Sequence, residues 1–80
     1  MPGISESIAS VTGYYPVTLA NTDLPLGVCR GLLVGTAGTA NLAQADGTVQ
    51  TGVPLAAGYN PIQVLQVRTG TAAANIWALY

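Results

Sequence analysis

Histidine and phenylalanine are absent from this sequence, cysteine occurs once, and two basic and three acidic residues are its only charges. Each shortage closes a class of function. Without histidine there is no imidazole base and no imidazole metal ligand, and one cysteine with no histidine makes no structural zinc site. Arg30 and Arg68 are the only cations of a chain with net charge −1. Two cations neutralise too few phosphates for nucleic-acid binding. Cys29 is alone, so no internal disulfide forms.

What is present is small and apolar. Half of the 80 residues are hydrophobic and ten are glycine. A chain of this length forms one domain at most and buries only about 60% of its unfolded surface. Domains this small gain their missing stability from disulfides, metals or oligomerisation. The composition leaves oligomerisation. Charge points the same way: 6% of residues are charged, against ~25% in an ordinary soluble domain. A solvated monomer surface needs more than that, so other subunits are expected to cover part of it. Disorder is a poor fit, because it goes with high charge and low hydrophobicity.

Membrane insertion is not expected either. The charge-free run from Gly47 to Val67 is interrupted by Pro54, Pro61, Asn60 and several glutamines, whereas a spanning helix needs ~20 mostly apolar residues. The start, Met-Pro-Gly-Ile-Ser-Glu, has no basic region before an apolar run, so no secretory signal is expected and synthesis is placed in the cytoplasm.

Residues 1–22 are rich in Ser and Thr, with Pro2, Gly3, Gly13 and Pro16. They read as an extended N-terminal arm, with a short strand at Val17–Ala20. Within the arm, Tyr14 and Tyr15 either pack back on the domain or grip a neighbouring subunit. Residues 23–80 read as a β domain. Gly27–Gly35 predicts a strand with Val28, Arg30, Leu32 and Val34 on one face and Cys29, Gly31, Leu33 and Gly35 on the other. Arg30 among apolar neighbours belongs near an edge or beside a carboxylate. Thr36–Thr39 is expected to turn and Ala40–Gln44 to begin a second strand. Asp46-Gly47 signals a hairpin with a type I′ turn. Thr48–Val53 returns, a loop runs from Pro54 to Pro61, and Ile62–Thr69 is the most β-like stretch, carrying a bulge or burial on both faces. Gly70–Ala74 turns into a last strand, Asn75–Tyr80. Short strands with Gly and Pro punctuation and no helical pattern predict an all-β fold: a small antiparallel sandwich or barrel of five to seven strands.

No enzyme is expected, and no cofactor or metal. Gly35-Thr36-Ala37-Gly38-Thr39 lacks the Gly-Lys-Ser/Thr ending of a phosphate loop and has no helix after it. Cys29 mid-strand reads as a small buried hydrophobe. Glu6, Asp23 and Asp46 fit neither a carboxylate pair nor a calcium loop. Ser5, Ser7 and Ser10 have no base. In the last strand, Trp77 and Tyr80 fall on opposite faces, so one fills the core and the other is a candidate interface anchor. Tyr14, Tyr15, Tyr59, Trp77, Tyr80, Arg30 and Arg68 form the candidate interface with other subunits. The arginines are expected to pair with Asp23 or Glu6 of the same or a neighbouring subunit. Glutamines, Asn60 and nine threonines supply uncharged polar contacts suited to interfaces.

One resemblance covers about three quarters of the chain. It runs through Asp23-Leu24-Pro25, Arg30 to Gly38, Ala45-Asp46-Gly47-Thr48, Val53-Pro54, Ala57-Gly58, Pro61, Val64 to Arg68, Gly70-Thr71-Ala72 and Ile76-Trp77-Ala78-Leu79-Tyr80. In order and spacing these resemble the spike base protein family of gene transfer agents and tailed bacteriophages. The resemblance implies a virion protein on the capsid exterior: a homo-oligomeric decoration or cement protein, or the base of a head spike. Its partners would be itself, in a ring of three or five, the major capsid protein and a spike fibre protein. The alternative is a host-recognition or carbohydrate-binding module of a phage fibre.

Overall fold

The computed structural model describes residues 11–80. Among these residues seven strands follow one another without a helix: β1 Tyr14–Pro16, β2 Gly31–Thr36, β3 Gly38–Ala43, β4 Val49–Leu55, β5 Gly58–Asn60, β6 Gln66–Val67 and β7 Ala74–Leu79. They build a four-stranded sheet ordered β1-β7-β2-β5 and a three-stranded sheet ordered β4-β3-β6. All pairings are antiparallel. Between the sheets lies one core, in which Leu32, Val34, Ile76 and Ala78 meet Ala40, Leu42, Leu55 and Val67. The all-β architecture follows from the alternation of apolar residues along short segments.

The β2 alternation holds from Leu32 onward, with Leu32 and Val34 buried and Leu33 and Gly35 outside. It fails before Gly31. Cys29 is buried where the pattern placed it beside Leu33, and Arg30, expected on the Leu32 face, is exposed. The reason is a change of partner: the Cys29 N–H donates to Val64 O at 3.0 Å, while the Arg30 N–H donates to Leu79 O at 2.8 Å. The chain thus changes partner between these two residues, from the isolated bridge with Val64 to the edge of β7.

Thr36–Thr39 does not reverse the chain as a turn. Ala37 alone separates β2 from β3, and the chain crosses there between sheets. Gly38 sits against the backbone of Ala72 and Ala73, and both of their N–H groups donate to Thr39 O. The Asp46-Gly47 hairpin is in place, but its turn is not type I′. Gly47 has φ 91° and Asp46 does not take positive φ. The Gly47 N–H donates to Gln44 O at 2.8 Å and the Gln44 N–H to Thr48 O at 2.7 Å. That is a three-residue loop closing on a left-handed glycine. The Asp46 carboxylate tightens it by accepting the Thr48 N–H at 2.9 Å, and this bond holds its carboxyl below the usual value.

Four further expectations are corrected. The early strand is Tyr14–Pro16 rather than Val17–Ala20, because β7 offers its edge there. After Pro16 the chain becomes a strap: the Val17 N–H donates to Ile76 O, the Ala20 N–H to Val67 O and the Leu24 N–H to Leu65 O. The Pro54–Pro61 segment is not all loop. Pro54 and Leu55 belong to β4, and Gly58–Asn60 forms β5 against β2. Asn60 is buried there, and its amide bonds Ala56 and Gly58 to hold the connection. Conversely, Ile62–Thr69 yields only the Val64 bridge and the two-residue β6. Val64 and Val67 are the buried pair, three residues apart, so the backbone turns between them instead of alternating. The last strand begins at Ala74, one residue early, and Tyr80 lies just beyond it.

Candidate interaction surface

The outer face of the four-stranded sheet collects side chains from distant parts of the sequence. Pairing register aligns Pro16 with Trp77, Trp77 with Leu33, and Leu33 with Tyr59. Directly opposed residues of an antiparallel sheet point to the same side. These four therefore form one row across all four strands. A second row runs Tyr14–Leu79–Gly31. Leu79 is buried yet stands outside the core cluster, as its place on the outer face requires. Tyr14 opposes it on one side, and on the other the Tyr59 ring lies over Gly31, where a Cβ would approach the ring carbon Cε1 to 2.7 Å. Glycine here gives the aromatic ring its seat.

The surface is apolar and open. Tyr14 is 67%, Tyr59 56% and Leu33 44% exposed. The ring centroids of Tyr14 and Trp77 lie 6.5 Å apart, and the Trp77 indole donates to Asn75 Oδ1 at 3.3 Å. Neither row contains a charged side chain. Tyr14, Trp77 and Tyr59 are thus brought together from the sequence candidates. Pro16, Leu33 and Leu79 join them unanticipated. Alternation had assigned Leu33 to the face opposite Leu32, but only register shows that its neighbours are aromatic.

The remaining candidates lie elsewhere. Tyr15 faces the other way and meets Tyr80 edge-on, with centroids 6.0 Å apart. Trp77 and Tyr80 do take opposite sides: Tyr80 packs against the core and its hydroxyl donates to Gly27 O at 2.9 Å. Both tyrosines line a cleft of about 490 Å³ under the strap, with Val17, Leu24, Leu26 and Val67. Arg68 does not meet Asp23 directly. Its guanidinium donates to Gln66 Oε1 at 2.5 Å, and the Gln66 amide donates to Asp23 Oδ1 at 2.8 Å. Glu6, the other expected partner, is outside the described residues, as are Ser5, Ser7 and Ser10. Arg30 is exposed just before β2.

Cys29 is buried and free. Burial pushes its thiol up, and burial followed by proximity to Cys29 raises the Tyr80 phenol. At neutral pH the thiol is therefore protonated, the form that is neither nucleophile nor metal ligand. Among the described residues no three of the acidic, Cys or His side chains gather closely enough for a metal ion, and no helix is long and apolar enough to cross a membrane.

These raised values give a signed pH dependence. The folded state holds both protons more tightly than the unfolded chain, so the contribution is complete below about pH 8.5, the ordinary thiol value, and falls as pH rises through the raised folded values. Ionised Tyr80 also loses its bond to Gly27 O. Urea midpoints are expected to be flat from pH 6 to 8 and to fall by pH 10. In Cys29→Ala the fall should begin later, toward the tyrosine range. A midpoint unchanged from pH 7 to 10 in the unmodified chain would contradict this.

Comparison with protein-family models, with curated proteins and with solved structures gives no match to this chain. Its functional reading therefore starts from the surface just described.

Proposed function

We propose that this protein is a structural virion component: a homo-oligomeric decoration or cement protein, or a head-spike base, bound to the outside of a tailed-phage-like capsid. One observation carries the reading. A four-stranded sheet presents Tyr14, Pro16, Leu33, Tyr59 and Trp77 outward in two uncharged rows. Exposed aromatics gathered on one face are the composition of an interface core, where Trp and Tyr contribute most. The scarcity of charge over the whole chain supports covering by neighbours, and the resemblance supplies the capsid. The major capsid protein and a fibre protein are the partners this reading implies.

The same face supports a second reading, a carbohydrate-binding module on a fibre. Aromatic rings on the outer face of the sheet, beside the Asn75 amide, offer a stacking platform with a polar handle. The two readings separate on whether the rings are covered in the particle.

Quantitative mass spectrometry of purified particles tests the first. About one copy per ten or more capsid subunits places the protein at symmetry axes, and about one per subunit makes it a lattice-wide cement. Its absence from particles overturns the reading. Leu33→Glu puts a charge in the centre of the rows at an exposed position. It is expected to fold normally and to lower occupancy on particles at least about tenfold, the effect of ~1.4 kcal/mol. Full occupancy by Leu33→Glu would mean that another surface docks. Retained glycan binding by assembled particles, lost in Trp77→Ala, would favour the second reading.

A further inference from the structure

Four strand edges bound the two sheets, and three of them are closed or short. β1 and β5 have three residues each, β1 ending on Pro16 and β5 followed closely by Pro61. The outer side of β6 is taken by the strap, whose Ala20 and Leu24 N–H groups donate to Val67 O and Leu65 O. The fourth edge is β4, seven residues long and exposed from Val49 to Gly52. Natural edges of this length usually carry lysines or inward charges that block pairing. From Gly47 to Val67 this chain has no charge.

The direction of the backbone groups on β4 is determined by the hairpin. Thr48 O accepts from the Gln44 N–H, so Thr48 faces β3, and two residues on Gln50 does the same, paired with Leu42. Val49 and Thr51 between them turn their N–H and C=O groups to the open side. The opening ends at Gly52, whose N–H is held by Asn41 Oδ1 at 3.2 Å, and at Pro54, which has no N–H. Among the described residues, the main-chain groups on this edge without a partner are thus those of the two residues flanking Gln50.

We infer that β4 pairs antiparallel with β4 of a second copy about a two-fold axis through Gln50, Val49 of each copy exchanging backbone hydrogen bonds with Thr51 of the other. Self-pairing places every residue against its own strand, which a charge near the centre would oppose. The nearest one, Asp46, is four residues from the axis and would lie opposite Pro54 of the second copy. Beside the strand runs a groove of about 530 Å³ lined by Leu42, Val53, Ile62, Gln50 and Gln63 together with Asp46, and the Gln50 and Gln63 amides offer uncharged partners to the amides of the second copy. Two edges alone bury less than the ~1,000 Å² of a stable free interface, so the contact is weak in dilute solution and gains strength where copies are crowded on a shell. The inference rests on the homo-oligomeric part of the reading above and assigns it a surface distinct from the aromatic face.

A cysteine at the axis tests it. In the paired geometry the two Cα atoms at position 50 lie ~4.5 Å apart, within disulfide range. Gln50→Cys is expected to form a cross-linked dimer under mild oxidant, while the unmodified chain, whose Cys29 is buried, and Ala56→Cys do not. Gln50→Lys, which sets like charges at the axis, should reduce the dimer fraction in native mass spectrometry at least about tenfold. If the unmodified chain self-associates but Gln50→Cys fails to cross-link and Gln50→Lys changes nothing, copies meet elsewhere: the β4 contact is overturned and the homo-oligomer stands. A chain monomeric in solution and on particles, without cross-link, overturns both. Cross-linking that appears only after deletion of residues 1–10 would show that the chain's own start occupies the edge, which also overturns the inference.

Discussion

Gly38→Val is expected to leave the chain unfolded at 25 °C. A Cβ at position 38 would lie 2.8 Å from Ala73 N and 3.1 Å from the Ala72 carbonyl carbon and Ala73 Cα. These are backbone atoms, so no flexible side chain can swing aside. They also belong to the segment whose Ala72 and Ala73 N–H groups donate to Thr39 O at 2.7 and 3.1 Å. Moving the segment away breaks the tie between the start of β3 and the approach to β7. Overpacking costs about 1–3 kcal/mol where neighbours can relax, and a backbone clash that also strips hydrogen bonds belongs at or beyond the upper end. A domain this small has a total near the low end of ~5–15 kcal/mol. Far-ultraviolet circular dichroism and amide dispersion in NMR provide the check. A native spectrum with an unfolding midpoint within a few degrees of the unmodified chain would show that the sheet crossing does not approach so closely.

Leu32→Ala is the second large effect. Leu32 has no exposed surface, in the central strand pair β2–β7 and at the centre of the core cluster. Its removal leaves a cavity between two sheets whose hydrogen-bonded backbones cannot collapse into it. Such substitutions cost about 2–5 kcal/mol, and at about 4–8 °C per kcal/mol for a domain of 60–100 residues the midpoint should drop by at least about 8 °C. The comparison that isolates burial is Leu33→Ala, one residue on and facing outward. It should be nearly neutral in thermal unfolding of the free chain and should matter only when the face is covered. Equal losses at positions 32 and 33 would contradict the assignment of faces.

These two residues also show how far the sequence could be read. The alternation of Leu32, Leu33 and Val34 was visible as a pattern, because side chains leave a strand on alternate sides whatever the strand pairs with. The location of the hairpin at Asp46-Gly47 was visible for a similarly local reason. Its geometry was not, because the Asp46 carboxylate, by taking the Thr48 N–H, favours a three-residue loop over the two-residue turn that the dipeptide signals. Ile62–Thr69 has the composition of a strand without forming a long one: β-branched composition describes what a segment tolerates, whereas a ladder needs a partner along its length, and β6 finds one for two residues only. Gly58–Asn60 is the converse case. Nothing in Gly-Tyr-Asn announces a strand, yet β2 presents an edge at the right height.

The sequence by itself determined the class of fold and the exclusion of histidine chemistry, since alternation and composition set these before any long-range contact forms. It also named the aromatic residues from which an interface could be built. Tertiary structure alone decided which of them share a face. Tyr14, Tyr59 and Trp77 meet because β7 pairs with β1 on one side and with β2 on the other, and β2 with β5. A one-residue slip in any of those registers would turn a member of the row inward. The open β4 edge was likewise settled by topology, because an edge exists only relative to strands that lie elsewhere. Local propensity cannot encode that relation, for it depends on which backbone groups the rest of the chain has already satisfied.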